Sequence, residues 1–253
     1  MIAIIGAVRE EVRPLAQRLE MSCIEQRGAL RVYRRGAPCG DVLLVQSGMG
    51  REHAEEACKY VIDAYSVDGL LSTGFSGALR DDLSAGDLVL CSDVCLDANG
   101  DGEISGVTSG HPLRQRIAHA LGRAGVSVRI GRCVTCTSVV STPEAKRALA
   151  DVWDADVVDM EAGWIARIAA REAIPFAALR VVSDRVGDIL PPLGDTSSDH
   201  EGVSRWRIAV HTACHPRSLA GLLRLAGNVR EAQRSLVRAV DAVADEWTQP
   251  GEG

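Results

Sequence analysis

Short apolar runs alternate with amphipathic stretches along most of the 253-residue chain. Strand-like runs fall at about 1–5, 30–35, 41–47, 69–73, 86–94, 127–134, 156–159 and 176–182. Helical periodicity falls at about 9–20, 51–65, 112–124, 143–151 and 160–173. Alternation of this kind predicts crossover units and a largely parallel or mixed central sheet. Two more helical segments, near 204–213 and 216–247, follow the last strand. No internal repeat and no break in composition divides the chain. The expectation is therefore an α/β fold: a single domain over residues 1–253, with a central mixed twisted sheet flanked by helices.

The run 176–182 ends abruptly in Ser183-Asp184. Ligands of open α/β sheets bind beyond the carboxyl ends of the strands, so a carboxylate there is well placed for chemistry. Ser and Asp are also ordinary turn formers, and a plain cap is the competing reading. Other strands end in comparable residues. The first leads into Gly6-Ala7-Val8-Arg9-Glu10-Glu11, and the third into Ser47-Gly48-Met49-Gly50. The fourth leads into Thr73-Gly74-Phe75-Ser76-Gly77-Ala78, and the run at 156–159 into Met160-Glu161. In a parallel sheet these ends share one rim. Glycines there let a ligand approach the backbone, whose N–H groups bind oxygens. Singly, each acid reads as a first-turn residue favoured by a helix dipole. Together, the acids and two Gly-rich turns suit a polar, sugar-like ligand and acid/base chemistry. None of the turns has the dinucleotide-binding or P-loop pattern.

Composition narrows the classes. Hydrophobic residues make up 46% and charged residues 25%, as in ordinary globular proteins. Aromatics are only 4%, so Val, Leu, Ile and Ala must build the core. A net charge of −6 argues against nucleic acid as a partner. No apolar run approaches the roughly 20 residues that span a bilayer. The opening Met1-Ile2-Ala3-Ile4-Ile5 lacks the basic flank of a signal peptide and reads as a first strand. The eight cysteines are scattered, which fits reduced thiols and a cytoplasmic location. Cys133 and Cys136 have CxxC spacing, but no second pair accompanies them, so no metal is expected. The acidic turn at 97–103 copies half of a calcium loop, yet Thr108 stands where a bidentate Glu belongs. The loop at 184–203 carries Pro191-Pro192 and is long enough to serve as a lid.

Several segments, in order and covering most of residues 1–185, resemble the nucleoside phosphorylase/nucleosidase superfamily. They are IIGAVREEV, the SGMG turn, LSTGFSGAL with AGDLVL, VVDMEAGWIARIAAREAIPF, and RVVSD. The nearest branch is the methylthioadenosine/S-adenosylhomocysteine nucleosidases. The resemblance implies cleavage of the N-glycosidic bond of an adenosine-type nucleoside with a 5′ substituent. Glu11 matches the base that activates water, and Met160 with Glu161 the ribose contacts. Asp184, oriented by Ser183, matches the acid at purine N7. Gly74, Phe75, Ser76 and Gly77 match the wall near the sugar, and Val139-Val140 the place beside the purine. No cofactor is implied, and homo-oligomers are usual in the family.

Departures from the family pattern sharpen the reading. Phe75 stands where the nucleosidases usually have Ser, and Val139-Val140 lack their stacking Phe. Ser72 replaces the Arg that commonly binds phosphate in the phosphorylases, which favours water as nucleophile. Arg9 and Arg51 leave inorganic phosphate open as an alternative, with pentosyl transfer in place of hydrolysis. The segment after Asp184 resembles the hopanoid-associated nucleoside phosphorylases, implying a lipid-linked nucleoside. Its Arg- and Leu-rich helix, with Arg217, Arg224, Arg230, Arg234 and Arg238, is compatible with a membrane surface. Packing of that helix into the core is the competing reading. A non-catalytic nucleoside-binding protein is the alternative from another class, although Glu11, Glu161 and Asp184 are all present.

Overall fold

Buried apolar runs and the amphipathic stretches between them become fifteen elements among the described residues. The computed structural model describes residues 1–35, 42–97, 112–190 and 219–248. The helix expected at 204–213, the 98–111 turn and the 191–203 part of the proposed lid lie outside them. The first half comprises β1 (Ile2–Gly6), α1 (Arg9–Arg18), β2 (Ser22–Arg27), β3 (Leu30–Arg34), β4 (Val42–Gln46), α2 (Arg51–Ala64) and β5 (Gly69–Ala78). The second comprises β6 (Leu88–Asp97), α3 (Pro112–Arg123), β7 (Arg129–Cys136), α4 (Pro143–Trp153), β8 (Val157–Asp159), α5 (Ala162–Arg171), β9 (Phe176–Asp184) and α6 (Leu219–Thr248).

One mixed sheet runs in the order β2-β3-β4-β1-β5-β8-β7-β6-β9, and β9 returns to pair with β5. Five strands thus close on themselves, and β5 and β9 lie parallel at the seam. β4, β1, β5 and β9 run parallel to one another, so their carboxyl ends share a rim as expected. β8 corrects that picture. It is antiparallel to β5, with Val158 opposite Gly77, and it stops after three residues. The Met160-Glu161 turn therefore reaches the rim from the opposite direction, doubling back along the carboxyl half of β5.

Two cores cover the two faces of the sheet. α2 and α5 cover one face through Ala54, Val61, Trp164 and Ile168. α1, α3 and α6 cover the other through Leu15, Ile117, Leu236 and Val243. α1 carries Pro14 in its interior. A proline has no N–H to offer the preceding turn, so the Glu10 carbonyl is left without its helical donor. Gln233 of α6 fills the place, donating from Nε2 to that carbonyl at 2.8 Å. The apolar face of α6 from Leu225 onward, including Ala232, Leu236, Val240 and Trp247, is buried in this core. That stretch follows the core-packed reading and has no apolar face left for a membrane. Arg217 and the side chains of Leu219, Leu222 and Leu223 lie outside the described residues. Among the described residues no helix is long and apolar enough to cross a membrane.

Candidate active site

A pocket opens where the β1–α1 turn, the β5–β9 seam and the β8–α5 turn meet. It holds about 790 Å³ of open space, its solvent mouth included. Glu11, Phe75, Ser76, Gly77, Val139, Val140, Met160, Glu161, Ser183 and Asp184 all line it. Ten of the eleven expected site residues thus converge, from five different chain segments. The eleventh, Gly74, lies just behind, in the wall of a smaller cavity.

Glu11 is the third residue of α1 and is buried. Its Oε2 accepts from the Ala7 and Val8 N–H groups at 2.8 and 3.0 Å, and its Oε1 from the Phe75 N–H at 2.8 Å. Three fixed donors hold the carboxylate in one orientation. Burial pushes its pKa up, while these N–H groups and the Arg180 charge pull it back. Gly74 makes the approach possible, since a Cβ there would sit 2.7 Å from Glu11 Oε1.

Asp184 ends β9 on the other side of the pocket and is 2% exposed. Ser183 Oγ lies 2.7 Å from Asp184 Oδ1 and 3.2 Å from the Ser76 carbonyl, and its single proton is donated to the nearer Asp184 Oδ1, so Ser183 orients the carboxyl. Asp184 Oδ2 faces Lys146 Nζ at 2.5 Å. Burial raises the Asp184 pKa, opposed by Lys146 and Ser183. A Cβ at Gly77 would lie 3.0 Å from Asp184 Oδ2. Glu11 is thus pinned at residue 75 and Asp184 beside residue 77 of one strand. At about 3.3 Å per residue the two carboxyls address points roughly 7 Å apart.

Glu161 precedes α5, and its Oε1 accepts from the Gly50 N–H at 2.7 Å. The β8–α5 turn and the Ser47–Gly50 turn are joined by this bond. Burial and the neighbouring Asp159 push the Glu161 carboxyl up to about 8, opposed by the Gly50 N–H and Arg180. A folded carboxyl that keeps its proton to higher pH stabilises the fold fully below its ordinary pKa of about 4.5. That stability is lost as the pH rises through about 8. Glu161→Gln is therefore expected to flatten the fall of Tm between pH 5 and 9 and to melt higher than the parent at the alkaline end. An unchanged Tm–pH curve in calorimetry would contradict this.

Three buried residues support the site without having been singled out in the sequence. Arg180, in mid-β9, pairs with Asp159 at 2.7 Å and donates to Ser72 Oγ at 2.6 Å. Asp159 in turn accepts from Thr135 Oγ1 at 2.5 Å and from the Ala162 N–H at 2.8 Å, which fixes the start of α5. An arginine inside the apolar run FAALRVVSD was a legible signal, because only a paired charge sits in such a strand. Lys146 gave none: PEAKRALADVW reads as a surface helix with solvated charges.

The small cavity behind the pocket holds about 230 Å³ of open space on the same measure, but only about 10 Å³ of it is open to the centre of a water molecule, which is room for about one water. Glu11, Ser47, Ser72, Thr73, Glu161 and Arg180 line it, and the buried Thr73 hydroxyl has no hydrogen-bond partner among the described residues. Arg51 does not reach either space. It stacks 4.7 Å over the Trp164 ring and pairs with Glu55 at 3.2 Å. Arg9 lines a separate groove with Arg13 and Arg31. Cys133 and Cys136, three apart on a strand, point to opposite faces and join different apolar clusters.

Residues 1–214 match the family model of the phosphorylase superfamily. A 5′-methylthioadenosine/S-adenosylhomocysteine nucleosidase of Staphylococcus aureus strain JH9 is 28% identical over 196 residues, covering 73% of this chain and 86% of its own. The fold is similar to that of Helicobacter pylori 5′-methylthioadenosine/S-adenosylhomocysteine nucleosidase, with a TM-score of 0.74 at 18% identity over 97% of both chains. Futalosine hydrolase of H. pylori has the same likeness, with a TM-score of 0.73 at 17% identity over 97% of both chains. The chain belongs to the phosphorylase superfamily, as an enzyme of the purine nucleosidase and nucleoside phosphorylase class.

Proposed function

We propose that this enzyme hydrolyses the N-glycosidic bond of an adenosine-type nucleoside carrying a 5′ substituent, and that it releases adenine. One observation carries the reading: two buried, rigidly held carboxyls, Glu11 and Asp184, face one pocket from opposite sides. Breaking an N-glycosidic bond builds positive charge on the sugar and negative charge on the base. The logic is that of two-carboxyl glycoside hydrolysis, with an acid for the leaving group and a base for water. Asp184 protonates N7 as the bond breaks. Glu11 takes a proton from the water that attacks C1′. Glu161 accepts from the ribose hydroxyls, with Met160 packed against the sugar. Val139 and Val140 line the base end, and Phe75 the wall below the sugar.

Water is favoured over phosphate by the residues themselves. Ser72 occupies the usual arginine position, and the Arg180 side chain that reaches it is already committed to Asp159. Arg51 and Arg9 are directed elsewhere. The cavity beside Glu11 suits one water. The names of the relatives support a 5′-substituted adenosine or a futalosine-like nucleoside. A lipid-linked substrate has less support, since the apolar face of α6 from Leu225 onward is taken up by the core. The reading calls for no metal or organic cofactor.

Adenine release from a panel of 5′-substituted adenosines is expected to proceed equally with and without inorganic phosphate, giving the free sugar. A sugar 1-phosphate formed only when phosphate is present would replace hydrolysis with phosphorolysis.

A further inference from the structure

Lysine is almost never fully buried unless it is paired, and Lys146 has no exposed surface. It stands in the first turns of α4 and spans to the end of β9. Its Nζ lies 2.5 Å from Asp184 Oδ2 and 2.7 Å from the Arg185 carbonyl. Gly77 leaves the space for the pair: a Cβ there would meet Asp184 Oδ2 at 3.0 Å and Lys146 Cε at 3.6 Å. A buried ion pair is poor value as a stabiliser, because desolvating two charges offsets most of their attraction. An apolar residue at 146 facing a neutral one at 184 would hold α4 to the sheet as well. The pair sits instead at the one carboxyl that has to carry a proton to the leaving base.

We propose that Lys146 is the proton source for Asp184, a positioning residue that acts on the leaving base only through that carboxyl. This rests on the purine-releasing reaction proposed above. In the resting pair one proton is shared between the ammonium and the carboxylate. Lys146 Nζ passes that proton to the Asp184 carboxylate and becomes a neutral amine. As the C1′–N9 bond breaks, its electron pair passes to the base and N7 takes the same proton from Asp184, which is left as a carboxylate. The attacking water gives one proton to Glu11 as its oxygen bonds to C1′. The short Nζ–Oδ2 contact lets a proton pass directly from the lysine to the carboxyl. The groups facing the pair are the Ser183 hydroxyl and the Asp188 carboxylate, and Asp188 is itself held by Arg224 at 3.0 Å and by the Arg185 N–H at 2.9 Å. A lone buried Asp would have to hold its proton unaided at neutral pH. Lys146 itself holds the Asp184 pKa down, so the proton that Asp184 delivers has to come from the lysine.

The test compares two leaving groups on the same 5′-substituted ribose: adenine, which needs N7 protonation, and 4-nitrophenolate, which does not. Lys146→Met should lower adenine release about 100-fold or more. It should leave nitrophenolate release nearly unchanged. Lys146→Arg keeps the charge but cannot give up a proton, so adenine release should stay low and nitrophenolate release should stay high. The parent enzyme gives a readout that needs no variant: at alkaline pH it should lose adenine release before nitrophenolate release. Parallel loss of both substrates in the variants, adenine release unaffected in Lys146→Met, or full adenine release restored by Lys146→Arg would each overturn the role of Lys146. Asp184→Asn separates the two levels. If that variant releases adenine at the parental rate, the acid assignment itself has failed; if it is inactive while both Lys146 variants are normal, only the lysine inference has.

Discussion

Asp184→Asn is expected to cut base release by about 10²–10⁴-fold while leaving nucleoside binding largely intact. The amide occupies the same volume, and Ser183, which donates to Oδ1 at 2.7 Å, retains an acceptor there. What the variant lacks is a proton acidic enough to reach purine N7. The loss should therefore fall on kcat, with KM little altered, because the missing interaction exists only in the transition state. Single-turnover base release and equilibrium binding of the intact nucleoside measure the two parts separately. A second effect follows from Lys146. Its counter-charge disappears, and a fully buried ammonium without a partner is costly, so the variant should also melt lower than the parent. Activity of the parent should fall as the pH rises, since Asp184 must hold a proton and burial is what raises its pKa. Turnover near the parental rate in Asp184→Asn would remove the proton-donor role.

Most of the frame was legible because most strands are buried on both faces. β1, β4, β5 and β9 are buried throughout, and each was visible as an apolar run with a Gly- or Ser-rich end. β2 was not visible. Its sequence SCIEQR is exposed at five of its six positions, so no hydrophobic period marks it, and only pairing with β3 makes it a strand. The return of β9 onto β5 and the reversed direction of β8 were also hidden. Both are long-range pairings, and a three-residue strand such as VVD has no pattern from which a direction can be read. The site was legible where a carboxylate or glycine ended a strand: Glu11 and Asp184 arrive where that logic put them, while Glu161 lines the same pocket from a strand that runs the other way. It was illegible where a charge reaches the site from elsewhere. Lys146 acts through a partner 38 residues away in sequence and nothing local announces it; Arg180 shows itself by standing in an apolar run, but its partner, 21 residues away, does not.

The same convergence gives the base its sharpest test. Glu11→Gln is expected to lower hydrolysis by about 10²–10⁴-fold. Gln cannot take the proton of the attacking water. It also cannot satisfy its surroundings: Ala7, Val8 and Phe75 direct three N–H donors at the two side-chain oxygens, and the amide of Gln would turn an NH₂ toward at least one of them. A buried donor facing a donor costs about 1–3 kcal/mol, so a drop in Tm should accompany the loss of rate. The pH profile carries the specific signature. Glu11 has to be ionised to act, and burial raises its pKa, so the parent should gain activity as the pH rises through the acid limb. In Glu11→Gln that limb should vanish. Azide needs no deprotonation to attack C1′, and it should restore base release in the variant with formation of the glycosyl azide. If the limb persists in Glu11→Gln, or if azide adds nothing while the fold is intact, the group that activates water lies elsewhere on the rim, and Glu161 becomes the next to replace.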